Sequence, residues 1–281
     1  MDNPLDVLVR RVDEDRWLAS RFAPKLVRPR LTALYALNYE IARTAEAVTQ
    51  EGLGDIRLAW WREALDEIYA ERPPRAQPAL EAFAEAVRQK HLSRAPLDAM
   101  IDARGKDLEA APFEGWPELD AYVEATAGGV LQLAIDICAD TDERPKQYDA
   151  FIRTAARAWG YAGLLRALPL WTARGRTFFP RKLMTHNGLS PTTVFTDYTG
   201  HAARSCMAGV LDRGRHAYKE ARDLATLLPS TLFPAFGYLA LAPRYYKALG
   251  TARYEVAPDT QMVPLIVRQV SLVAASATGR V

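Results

Sequence analysis

Carboxylates spaced four residues apart are the side chains of this chain whose pattern could hold a metal ion. Asp98/Asp102, Asp120/Glu124 and Asp136/Asp140 are among the pairs with this spacing. On a helix, positions i and i+4 share a face, and two carboxylates there could anchor magnesium beside phosphate oxygens. With 34 acidic residues among 281, chance alone gives roughly four such pairs, so each is a weak motif. A solvated helix face explains them without a metal.

A group of basic residues around the sequence GRTFFP is the second candidate. Its members are Arg166, Arg174, Arg176, Arg181 and Lys182. Guanidinium groups bind phosphate through paired hydrogen bonds, so the group could hold a phosphorylated ligand. The alternative is surface charge with one or two buried ion pairs. No GxSxG, GxGxxG or P-loop pattern occurs, so hydrolase, dinucleotide-binding and NTP-binding motifs have no support.

The remaining residues that could carry chemistry have simpler explanations. Cys138 and Cys206 lie far apart and share no metal-ligand spacing with the four histidines, so we expect two buried thiols and a reducing cytoplasm. The Trp60–Trp61 pair is expected to pack in and on the core. The chain carries 36 basic and 34 acidic residues, which favours neither nucleic acid nor an anionic membrane as main partner. The N-terminal residues lack the apolar segment of a secretory signal.

The elements that position these groups are predicted to be helices. Apolar residues recur every three or four positions over residues 31–48 and again over 53–68, which predicts amphipathic helices. No segment alternates with period two, so strands have no support. Breakers at 71–78, 111–119, 140–147 and 186–191 separate further helices. We predict one all-α domain, residues 1–281, of roughly ten helices.

Two apolar stretches lie near the end of the chain. Residues 224–243 are uncharged but contain Pro229, Pro234 and Pro243. Because a bilayer span needs an intact apolar helix of about 20 residues, we predict a buried helix there. Residues 262–277 are mostly apolar, and we predict that they form either a helix that docks on a membrane surface or a core helix.

Three segments, in order, carry a family resemblance. They are LTALYALNYEIARTAEAV followed by RLAWWREALDEIY, AYVEATAGGVLQLAIDI, and AWGYAGLLRALPLWTARGRTFFPRKLM. Together they resemble the squalene/phytoene synthase family over roughly residues 15–185, with helices consistent with it to about residue 275. The resemblance implies a single-domain isoprenoid-synthase helical bundle around a central cavity.

Members of this family that make squalene or phytoene hold magnesium with acidic motifs on two facing helices. By resemblance, the first motif falls on Ala42 and Glu46, with Tyr39 in place of the usual arginine. The second falls on Gly163, Ala167 and Trp171, so only Glu46 keeps an oxygen ligand. Magnesium needs such ligands to neutralise a departing diphosphate. The resemblance therefore implies no metal and no prenyl transfer.

Some positions of the active family members are retained. Arg166 and Arg176 match them, and Tyr122 opens the Tyr-to-Gly-Gly helix, so these residues and Glu46 are candidate ligand or phosphate contacts. If the fold is kept, the positions that lost their ligands line a cavity. That cavity either stays open and holds a lipid or prenyl chain, or closes because glycine and alanine let the helices approach.

The alanines and glycine at the lost positions resemble a branch of the family that includes a mitochondrial respiratory complex I assembly factor. This implies a binding or assembly role for NADH:quinone oxidoreductase, with a subunit or assembly protein as partner and peripheral contact with the inner face of the membrane. One alternative is an active head-to-head prenyltransferase that uses Glu46, Arg166, Arg176 and Asp98, Asp102 or Asp107 in an unusual magnesium arrangement. Another is a lipid carrier unrelated to respiration.

Overall fold

The regular structure of this chain is helical, as the sequence predicts. A computed structural model describes residues 3–46, 52–139, 145–251, 263–279 and 281. Within these ranges no strand is present, and there are fifteen α-helices where roughly ten are predicted. The helices are α1 Pro4–Val12, α2 Glu14–Ser20, α3 Arg28–Ala42, α4 Leu53–Tyr69, α5 Pro78–Lys90, α6 Ala95–Arg104, α7 Trp116–Val123, α8 Gly129–Cys138, α9 Tyr148–Ala173, α10 Arg181–His186, α11 Pro191–Thr196, α12 His201–Ala225, α13 Phe233–Phe236, α14 Ala242–Thr251 and α15 Leu265–Thr278.

The extra helices arise where local chemistry interrupts a longer apolar pattern. Asp13 separates α1 from α2 because its side chain caps the second helix at the backbone N–H of Arg16. Residues 224–243, predicted as one buried helix, are buried over most of their length but broken by their prolines. The stretch is divided among the end of α12, two 3₁₀ turns, α13 and the start of α14. Among the described residues, no helix is both long and apolar enough to cross a bilayer.

Helix α3 ends earlier than the pattern over residues 31–48 predicts. The α-helix stops at Ala42 and continues as a 3₁₀ turn, Arg43–Glu46. The backbone N–H of Arg43 reaches the carbonyls of Ile41 and Tyr39, and such tightening satisfies carbonyls at a helix end. Residues 47 and 48 lie outside the described part of the chain.

Helix α9 is the centre of the bundle and packs along α12. Its other side faces α7 and α8, which a π-helical segment, Glu124–Gly128, joins into one continuous rod. A Cβ atom added at Gly128 would lie 3.0 Å from the Cβ of Ala156, and one added at Gly160 would lie 2.8 Å from the Cβ of Val123. The rod formed by α7 and α8 therefore approaches the backbone of α9 closely along this part of its length.

Helix α15 is held to the start of the chain by a buried charge network. The Arg268 guanidinium donates to Asp15 Oδ1 at 2.9 Å, and Tyr245 Oη donates to Asp15 Oδ2 at 2.6 Å. One side of α15 is packed, as a core helix requires, and the other side is exposed, so docking on a membrane surface stays a prediction. Ile266, Val270 and Val273 form the exposed side. Residue 262 lies outside the described ranges.

Candidate ligand cavity

A cavity of about 300 Å³ opens where the predicted motif positions meet. Its lining includes all six positions at which the family's two metal-binding motifs fall in this chain: Tyr39, Ala42, Glu46, Gly163, Ala167 and Trp171. Tyr122 and Arg176, two of the predicted contact residues, also line it. The sequence thus identifies residues from the end of α3, the rod formed by α7 and α8, and α9 that share one space.

The cavity begins where α7 and α9 move apart. At Gly160 helices α7 and α9 are in close approach. One turn further along α9, a Cβ added at Gly163 would meet no described atom within 4 Å. Of the two alternatives, closure by helix approach and an open space, the described structure has the open space. Glycine is required by packing at Gly160 and is not required by packing at Gly163.

A buried polar network forms one wall of the cavity. Tyr122 Oη donates to Asp107 Oδ1 at 2.6 Å, and Arg104 donates to Asp107 Oδ2 at 3.0 Å and to Tyr122 Oη at 2.9 Å. Burial raises the pKa of Tyr122 well above its ordinary value, more than the neighbouring Arg104 lowers it. The phenol therefore stays a neutral donor, and Arg104 Nε has no hydrogen-bond partner in the described structure.

Arg16, on α2, brings a second buried guanidinium to the same cavity. The residue is 7% exposed, donates to Asp13 at 2.7 Å, and lies over the ring of Tyr238 with 5.0 Å to its centroid. Burial acts to lower the pKa of Arg16, but the Asp13 carboxylate together with Tyr238 and Tyr35 outweighs it and raises the pKa above the ordinary arginine value. Its Nε atom also lacks a partner among the residues that the structure describes, so a fixed positive charge with a spare donor lies in the wall.

Charge at the outer part of the cavity is also predominantly positive. Arg174 lies 3.5 Å from the Glu46 carboxylate, which is 46% exposed at its side chain. Arg176 donates to the backbone carbonyl of Leu108 at 3.1 Å and has no carboxylate partner among the described residues. Five arginines line the cavity, and four of them pair with a carboxylate: Arg16 with Asp13, Arg43 with Glu40, Arg104 with Asp107 and Arg174 with Glu46. Arg176 is thus the lining cation that no carboxylate of the described residues neutralises, and the wall is polar, not the apolar surface that small residues alone would give.

Several predicted contact residues lie elsewhere. Arg166 projects from α9 toward α2, with its guanidinium 3.7 Å from Asp15 and 4.3 Å from the centroid of the Tyr245 ring. Arg181 donates to Glu114 at 3.0 Å on the surface. Of the basic group around GRTFFP, only Arg174 and Arg176 reach the cavity lining.

The paired carboxylates are engaged in ion pairs. Asp98 accepts from Arg94 at 3.1 Å on α6, and Asp120 accepts from Arg213 at 3.1 Å between helices. Glu124 accepts from Arg157 at 2.6 Å, and Asp102 pairs with Arg62. None of these carboxylates lines the cavity. Asp136 is described but Asp140 lies outside the described residues, so their pairing has no structural account.

The residues present do not fit a magnesium cluster. Ala42, Gly163, Ala167 and Trp171 offer no side-chain oxygen, and Asp107 already accepts from Tyr122 and Arg104. Among the described residues, no group of three histidine, cysteine, aspartate or glutamate side chains is arranged to hold a metal ion. Asp98 and Asp102, which the alternative prenyltransferase would use, lie on the outer side of α6 away from the cavity.

Comparison with known proteins gives the family and relatives of known name. The family model for squalene/phytoene synthase matches residues 9–269. A bovine protein named NADH dehydrogenase (ubiquinone) complex I, assembly factor 6 is 27% identical over 249 residues, which are 89% of this chain and 74% of that protein. Its mouse counterpart is 25% identical over 249 residues, with the same coverage. Maize phytoene synthase 3, chloroplastic, is 25% identical over 214 residues, covering 73% of this chain and 50% of that protein.

Solved structures give the same fold. A squalene synthase from Alicyclobacillus acidocaldarius superposes with a TM-score of 0.76 at 20% identity, covering 90% of this chain and 94% of that one. A dehydrosqualene synthase superposes with a TM-score of 0.78 at 17% identity, covering 98% and 94%. At these identities the likeness establishes the architecture alone. The predicted isoprenoid-synthase helical bundle is confirmed.

Proposed function

This chain belongs to the squalene/phytoene synthase family, and we propose that it acts without prenyl transfer, as an assembly factor for respiratory NADH:quinone oxidoreductase. The observation that carries the proposal is the loss of oxygen ligands on both walls of the cavity. Ala42 on α3 and Ala167 on α9 both face the space that a magnesium diphosphate would need. Without the metal, most of the stabilisation of a departing diphosphate is missing.

The relatives of known name support the assembly role. Proteins named as complex I assembly factor 6 match 89% of this chain in cow and in mouse. The chain would bind a subunit of the complex, or another protein that helps to build it. The retained fold then serves as a rigid binding body.

We further propose that the cavity holds an anionic amphiphile such as a lipid or prenyl phosphate without a metal. Guanidinium groups can bind a phosphate through paired hydrogen bonds without a metal, and five of them line the cavity. Arg176, with no carboxylate partner among the described residues, and Arg174 at the outer part are the groups that would meet a phosphate. Small residues at positions 163 and 167 leave room for an apolar chain.

Two experiments test this function. Deletion of the gene in its native host should lower the amount of assembled NADH:quinone oxidoreductase on native gels, and the wild-type chain should restore it. Normal assembly in the deletion strain would refute the role. The purified chain should release no diphosphate from farnesyl or geranylgeranyl diphosphate with magnesium, and magnesium-dependent release would instead favour the active prenyltransferase.

A matched set of variants tests the lost ligands. The Ala42→Asp and Ala167→Asp variant, with Gly163→Asn where the structure leaves space, should gain magnesium binding by calorimetry. The wild-type chain is the control and should show none. Equal magnesium binding by both proteins would mean that other residues hold the metal.

The chain is expected in the cytoplasm, and we propose that it works at the inner face of the membrane. The complex named in its relatives oxidises NADH and reduces a membrane quinone, so its assembly brings partners to a bilayer surface. A surface for this contact has to be exposed, apolar in part and without excess negative charge.

A further inference from the structure

An exposed turn between α2 and α3 has the chemistry of a membrane-docking tip. Leu26 is 82% exposed, the largest exposed fraction among the large apolar side chains of the described residues, and Phe22 in the same turn is 38% exposed. Residues 16–39 contain five cationic side chains and no acidic one. A protruding apolar residue beside cations is the pattern that binds anionic lipid surfaces.

One cation of this turn, Lys25, is engaged by no other described residue, and a second, Arg28, is bound only to backbone carbonyls. Arg21 pairs with Asp6 at 2.9 Å, but Lys25 and Arg28 have no carboxylate partner in the described part of the chain. Arg28 donates to the carbonyl oxygens of Ala23 and Arg21, both at 2.8 Å. The remaining two cations of residues 16–39, Arg16 in the cavity wall and Arg30 beside Gln89, are already engaged. Positive charge is thus concentrated next to Leu26 although the whole chain is nearly neutral.

The turn is held rigid and lies beside an uncharged segment of the chain. Besides the bonds from Arg28, the backbone N–H of Val27 reaches the carbonyl of Pro24 at 2.9 Å. The Phe22 ring lies edge-on to Phe233 with 5.2 Å between centroids. Phe233 follows an uncharged segment, residues 224–232, in which Leu227 is 56% exposed. A rigid tip loses little conformational entropy when it docks.

We propose that this turn, residues 21–28, is the surface with which the chain docks on an anionic lipid bilayer. The inference rests on the proposed work at a membrane and names the surface that makes the contact. Leu26 and Phe22 enter the boundary between headgroups and acyl chains, while Lys25 and Arg28 lie at the level of the lipid phosphates. The exposed face of α15 is the weaker candidate, because its helix carries one charged residue, Arg268, and that residue is buried.

Vesicle flotation of the full chain tests the surface. One set of vesicles contains phosphatidylcholine alone, and the other contains one phosphatidylglycerol for every two phosphatidylcholines. Wild-type protein should float with the anionic set, stay behind with the neutral set, and be released by high salt. Leu26→Ser should weaken partition roughly tenfold or more, and Lys25→Gln should weaken it about fivefold.

Two matched variants locate the effect. Ile56→Ser on α4 and Val270→Ser on α15 remove side chains of similar exposure, 65% and 61%, and should leave flotation unchanged. The proposal is overturned if wild-type protein does not bind the anionic vesicles, if Leu26→Ser binds as well as wild type, or if Val270→Ser weakens binding equally. Because Leu26 is almost fully exposed, its substitution should leave the circular-dichroism melting curve unchanged. The assay contains no respiratory protein, so its outcome is independent of the assembly role.

Discussion

Two glycines of α9, one turn apart, should respond in opposite ways to the same substitution. Alanine is more favourable than glycine inside a helix by about 0.8–1.0 kcal/mol. At Gly163 the added methyl group meets no atom within 4 Å, so Gly163→Ala should stabilise the fold by about 1 kcal/mol. At Gly160 the methyl carbon would lie 2.8 Å from the Cβ of Val123. Because that atom is attached directly to the backbone of α7, a helix must shift, at a cost of about 1–3 kcal/mol.

The helix gain is common to both variants, so it cancels in their comparison. Gly160→Ala should therefore be less stable than Gly163→Ala by about 1–3 kcal/mol. Chemical denaturation followed by far-UV circular dichroism measures this as a difference in midpoint, and thermal melting should show roughly 2–4 °C for each kcal/mol. If Gly160→Ala were as stable as Gly163→Ala, the close approach of α7 and α9 would be wrong, and with it the account of where the cavity begins.

Two buried ion pairs give further predictions. Arg268→Met should destabilise the fold by about 3–5 kcal/mol in denaturant titrations, because it leaves the Asp15 carboxylate buried with its main cation removed. Adding Asp15→Asn should recover part of that loss, and no recovery would contradict the pairing. Burial acts to raise the pKa of Asp120, but hydrogen bonds from Arg213 and Tyr161 and the charges of Arg213 and Arg157 outweigh it and hold the pKa below its ordinary value. Since the folded pKa is the lower one, this stabilisation is present above about pH 4 and is lost as the pH falls further. Asp120→Asn should therefore reduce the acid dependence of the unfolding midpoint below pH 4, and an unchanged slope would refute the assignment.

Helical periodicity and the resemblance predicted the fold and the position of the cavity. Tyr39, Ala42, Gly163 and Ala167, which the matching segments single out, line one cavity in the structure. The α-helical part of α3 ends earlier than the pattern predicts, because apolar residues spaced by three also fit the 3₁₀ turn Arg43–Glu46. The number of helices was underestimated because a capping residue such as Asp13 can end one helix and begin the next while apolar residues continue on both sides of it.

The charge of the cavity could not be predicted from the sequence. Arg16 lies in a helix with no recognisable motif, and its arrival in the cavity depends on how α2 packs. Arg166 shows the converse. It matches the active family members in sequence, but its side chain lies beside Asp15 on the other side of α9. Spacing along one helix tells which residues share a face, and only packing tells what that face meets.

The pair formed by Arg268 and Asp15 has a consequence for the order in which this protein can fold. The two side chains are 253 residues apart in sequence. During synthesis from the N-terminus, α2 therefore emerges long before the helix that neutralises its buried carboxylate. Contacts of such separation slow folding, and intermediates that lack them expose surfaces prone to aggregation. We therefore expect the nascent chain to depend on chaperones until α15 has left the ribosome.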